Sequence, residues 1–160
     1  MDGSQDETQH RAAVDTWIER TVGHRSSAEI VDLFGAAFEA VWGRALTTLG
    51  EVTLTAIAER VLFTVAGLHP FLSVVPAHPN GDARWKQQLY DRMAAVPREE
   101  LLDGLRFGLI ELLSVIGRLT AEILSYDLHT TLGGVTTGGS YTRPATAPHA
   151  VPNPVTKARS

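Results

Sequence analysis

The side chains of this chain best suited to chemistry are carboxylates and arginines set inside otherwise apolar, helix-spaced stretches. Glu111, Arg118 and Glu122 fall within or beside the run from Phe107 to Leu124, and Glu39, Arg44, Glu59 and Arg60 occupy similar settings upstream. Removed from water, such groups change their proton affinity, so a partly buried network of them can act as acid, base or anion anchor. The same residues also suit ion pairs on a solvated helix face. Arg118 and Glu122, four apart, can pair along one helix for about 0.3 kcal/mol.

The six histidines are spread through the chain. His10, His78 and His149 fall in polar or unstructured segments, His24 and His69 lie between helices, and His129 sits near a helix C-terminus, where positive charge is favourable. No two stand four apart on one predicted helix, so no metal site is expected. No Ser, His and Asp constellation, glycine-rich phosphate loop or dinucleotide fingerprint appears. No cofactor and no catalytic residue is expected.

These groups must be positioned by helices. Glu7 to Val22 can form one, with Val14, Trp17 and Ile18 on one side and Gly23 at its end. Ser26 or Ser27 can cap a second helix, running to Leu49, with Glu29 in its first turn. Glu51 to Ala66 is rich in β-branched residues, which suit a strand. The helical spacing of Leu54, Ile57, Ala58, Val61, Leu62 and Val65 predicts a helix instead. Pro70 opens a short turn, Pro76 to Ala83 reads as a loop, and Ala83 to Val96 as a polar helix that turns Trp85, Leu89, Met93 and Tyr90 inward.

The segment Arg60 to Val75, RVLFTVAGLHPFLSVV, resembles the helix-to-turn passage with a His-Pro step found in globins. The chain beyond Val75 offers no proximal histidine on a helix with two more helices behind. The resemblance therefore implies a haemless sensory relative of that fold and no haem ligation.

The dominant element runs from Arg98 to Leu132, opened by Pro97 and closed by Gly133 and Gly134. Leu102, Leu105, Leu109, Leu112, Ile116, Leu119, Ile123 and Tyr126 step by three and four, a heptad seam. Apolar residues such as Phe107, Ile110 and Leu113 flank it, more than a two-stranded coil can cover. Glu111, Ser114, Arg118 and Glu122 form the thin polar stripe that remains. Glycines at 104, 108 and 117 offer flat patches for close helix approach.

Composition bounds the rest. At 160 residues, with 44% hydrophobic and 20% charged residues and no cysteine, the chain suits one globular domain without disulfides or thiolate metal sites. The acidic start does not read as a signal peptide, and charges within Phe107 to Leu124 argue against a membrane span. A cytoplasmic location is expected. The segment 133–160 holds Arg143, Lys157 and Arg159 and no acid, so its +3 leaves −7 for the remainder of a −4 chain. An acidic body is a poor phosphate binder, and no nucleic acid is expected.

Together these features predict an all-α bundle of about five helices over residues 7–132, with residues 1–6 and the Gly/Pro-rich residues 133–160 disordered. The seam residues Leu102 to Ile123 are expected to form a homodimer interface. The expected function is a non-enzymatic interaction or regulatory module that docks a partner protein through a helical surface or the tail. The alternative is a sensory domain whose apolar pocket, near Trp42, Phe38 and Phe63, uses Arg44 or Arg118 as an anion anchor.

Overall fold

A computed structural model describes residues 2–75, 84–93 and 95–136. Among them are six α-helices, one 310 turn and no strand: α1 (Asp2–Thr21), α2 (Ser27–Leu49), α3 (Glu51–Leu68), the 310 turn Pro70–Val74, α4 (Arg84–Met93), α5 (Arg98–Leu119) and α6 (Ser125–Gly133). The all-α bundle expected from the apolar spacing is therefore present. The first helix opens at Asp2, five residues before Glu7. The loop expected over 76–83, the side chains of Trp85 and Met93, and the tail from 137 lie outside the described residues.

Local signals account for most boundaries. Ser26 caps α2 with its hydroxyl on the Glu29 amide, while the Glu29 carboxylate accepts from the Ser26 amide, a reciprocal capping box. Those contacts hold the Glu29 carboxyl below its ordinary range. Loss of the cap in Ser26→Ala is expected to cost about 1 kcal/mol, read as a lower urea midpoint with an unchanged slope. Gly50, at φ 81°, turns the chain between α2 and α3 in a conformation that side chains resist. The β-branched residues of α3 do not prevent a helix, because Leu54, Ile57, Ala58, Val61 and Val65 are all buried along one face. Pro97 serves as the N-cap of α5 rather than as its first helical residue.

The core lies where α1, α2, α3 and α6 close around α5. Trp17, Phe34, Ile30, Leu33, Leu54, Leu109, Leu113, Ile116, Leu128 and Leu132 are all withdrawn from solvent. Trp17 meets Phe34 edge to face, with ring centroids 5.1 Å apart, and donates its indole N–H to the Val135 carbonyl at 2.7 Å. Val135 itself is buried, so the body extends past 132 to the end of the described residues. Polar clasps finish the packing. Arg106 of α5 grips Asp15 of α1 with two hydrogen bonds, 2.6 and 3.0 Å, and this grip holds the Asp15 carboxyl below its usual range. Tyr90 of α4 donates to Asp32 of α2 at 2.5 Å, and burial together with that carboxylate pushes the phenol up to about 12.

The expected unbroken helix from Arg98 to Leu132 is not what forms. It ends at Leu119, and α6 starts only at Ser125. At the break, the Glu122 amide donates to the Gly117 carbonyl at 2.7 Å and the Ala121 amide to Arg118 at 3.4 Å, the paired bonds of a Schellman stop. Ala121 and Glu122 adopt φ of 51° and 65°, a left-handed conformation that side chains other than glycine adopt only at a cost of roughly 1–3 kcal/mol each. The seam divides accordingly. Leu105, Leu109, Leu112 and Ile116 are buried in the protein's own core and Leu102 packs against it, while Leu119, Ile123 and Tyr126 stand in water.

Candidate functional site

An apolar cleft opens between α2, α3 and α5, with the 310 turn at one edge. It is lined by Phe38 and Trp42 from α2, Val61 and Val65 from α3, Leu72 from the turn, and Leu105 and Leu112 from α5, with Glu39 as the ionisable neighbour among the described residues. Gly35, Ala58 and Gly108 keep its walls low. The space within is about 80 Å³. A Cβ at Gly108 would come no nearer than 3.6 Å to Val65, so that wall is not tightly filled. Gly104 differs, since a Cβ there would meet Phe71 at 2.9 Å and Leu72 at 3.1 Å. Leu62, Leu72 and Val75 are shared with a shallower groove that runs outward past Phe63, whose ring is 84% exposed.

Phe38 and Trp42 line the cleft, and Phe63 stands on the groove beside it. Arg44 does not line the cleft and pairs with Asp127 of α6. Arg118 is exposed in the last turn of α5, and Glu111 is half-buried further up the same helix. The stripe of Glu111, Arg118 and Glu122 therefore does not converge on a single site.

Glu122 enters a different cluster. The left-handed turn swings its carboxylate over Gly117 toward His10 of α1, with His10 Nε2 3.2 Å from Glu122 Oε1. That separation suits an ion pair, although Nε2 has no aligned hydrogen bond. On its other side His10 Nδ1 lies 2.9 Å from Nε2 of His129 on α6, ring edge to face. The Ser125 hydroxyl donates to Glu122. His10 is buried, at 1% exposure. A Cβ at Gly117 would fall 2.6 Å from the carboxylate and 2.8 Å from His10 Nε2, so glycine makes room for the cluster. Burial, followed by the proximity of His10, lowers the proton affinity of His129, while Glu122 pulls it back up.

Because His10 meets its two neighbours through opposite ring nitrogens, the group is a row and not a chelate. Among the described residues no set of three or more His, Asp or Glu side chains is arranged to hold a metal. The burial of His10 was legible in its phase: it stands four and seven residues before Val14 and Trp17, on the apolar face of α1.

Comparison with protein-family models, with curated proteins and with solved structures finds no match to this chain. No helix among the described residues is long and apolar enough to cross a membrane.

Proposed function

We propose that this chain is a non-enzymatic binding module that takes an apolar side chain of a partner protein into the cleft between α2, α3 and α5. The size and chemistry of the cleft carry this reading. Sites for small molecules are enclosed, hold roughly 300–1,000 Å³ and set several polar groups around an apolar body, whereas the 360 Å³ beside this cleft is an open groove. A space of about 80 Å³, walled by aliphatic and aromatic groups, suits one branched aliphatic side chain. The groove past Leu62 and Phe63 gives room for the helix that would carry it. None of His10, Glu122, Ser125 or His129 lines the cleft, so that cluster of titratable groups is not placed to act on an occupant.

The test is a library of amphipathic helical peptides with leucine at its central positions, selected against the protein and measured by calorimetry. Ala58→Leu, which fills the cleft from α3, is expected to weaken the selected peptides at least about tenfold while leaving the fold intact. Equal binding to the Ala58→Leu variant, or tighter binding of decanoate than of any peptide, would sink this reading.

A second reading, self-association as a homodimer, rests on Leu119, Ile123 and Tyr126. These three large apolar side chains lie within eight residues of one another and are 60%, 78% and 78% exposed.

A further inference from the structure

We propose that His10, His129 and Glu122 form an acid-sensitive latch that holds α1 against the α5–α6 corner near neutral pH and releases it in mild acid. The groups that meet at the latch come from each element packed there. α1 supplies His10, the turn after α5 supplies Glu122, α6 supplies His129 and Ser125, and α5 supplies the bare backbone of Gly117.

At a separation of 2.9 Å, one of the two facing imidazole nitrogens must carry a hydrogen and the other a lone pair. With His129 Nε2–H donating to His10 Nδ1, the proton of His10 sits on Nε2, 3.2 Å from Glu122 Oε1 but without an aligned acceptor. One added proton can still be held, shared by the imidazole pair and facing the carboxylate. A second cannot, because it sets two N–H groups and two positive charges against each other beside His10, which is itself screened from water. Release relieves this by returning both rings to water.

The sign comes from linkage. A free histidine titrates near pH 6.5, and docking lowers the proton affinity of His129, so below about pH 6.5 the released state binds more protons than the docked one. Acid therefore favours release, and the effect grows until the docked value is reached. Release uncovers Val14 and Trp17, both buried when α1 is docked. The latch and the cleft share no residue, so failure of either proposal leaves the other standing.

Hydrogen exchange of the full chain, read by mass spectrometry at about pH 7.5 and about pH 5.5, tests this. The ratio of α1 to α3 exchange is expected to rise on the order of tenfold with acid in the native protein. In His129→Gln, whose amide can still meet His10 but cannot take a proton, the rise should fall below about threefold. Glu122→Gln has the opposite sign: without the carboxylate a shared proton is held less well, and release should begin at higher pH. An α1 segment loosened equally at both pH values in the two variants would mark the cluster as mere packing and overturn the proposal. So would α1 and α3 opening together, or an undiminished acid response in His129→Gln.

Discussion

Leu109→Asp is expected to cost the protein more than about 4 kcal/mol of stability, whereas Ile123→Asp, fourteen residues along the same heptad seam, should shift it by no more than about 0.5 kcal/mol. Leu109 is fully buried on the face of α5 that the rest of the bundle encloses. A carboxylate there loses its hydration without gaining a partner, a cost of more than about 4 kcal/mol against a total stability of roughly 5–15 kcal/mol. Ile123 is 78% exposed, and a charge there stays in water. Far-UV circular dichroism with urea titration reads both. A Leu109→Asp protein that loses less than about 1 kcal/mol would mean that this face of α5 is not the core. Sedimentation of Ile123→Asp adds a second result: if Leu119, Ile123 and Tyr126 join two copies, the native chain sediments as a dimer and the variant as a monomer.

Trp17→Ala is the second large effect, an expected loss of about 3–5 kcal/mol for truncating a buried aromatic, with about 1 kcal/mol more for orphaning the Val135 carbonyl. The indole is 1% exposed, stacks edge to face on Phe34, and supplies the hydrogen bond that holds the end of the described chain to α1. Trp17→Phe separates the parts, since it keeps an aromatic ring beside Phe34 while losing the N–H and a fraction of the indole's volume. Its expected cost is about 1–2 kcal/mol. Urea midpoints for the pair provide the measurement. A loss below about 1 kcal/mol for the alanine variant would show that α1 contributes little to the fold.

The bundle was legible wherever burial repeats with the helical period, and this held even for α3, where Val52, Thr53, Thr55 and Ile57 locally favour a strand. The break after Leu119 was not. Thr120, Ala121 and Glu122 contain no glycine or proline, and the seam continues through them in phase. The cause of the stop is tertiary: a continuous helix would carry Glu122 away from His10, and the contacts among His10, Glu122, Ser125 and His129 accompany a turn for which no local residue is chosen. The same cause hid the candidate sites. Phe38 and Trp42 are expected near an apolar pocket, but the pairing of Arg44 with Asp127 depends on how α6 folds back. The sequence around His10 is polar and hides it, although its own phase points inward.

The connection between α1 and the far end of the chain also sets an order of events during synthesis. His10 meets His129, and Trp17 meets Val135, across separations of 119 and 118 residues. A ribosome adds about 5–20 residues per second, so α1 emerges roughly 6–24 s before those partners exist. Helix α1, made before the other described helices, is thus among the last of them to be seated. Through that interval Val14 and Trp17 are exposed to whatever the nascent chain encounters, and the charged, polar remainder of α1, from Asp2 to Gln9 and again at Glu19 and Arg20, keeps it in solution while it waits.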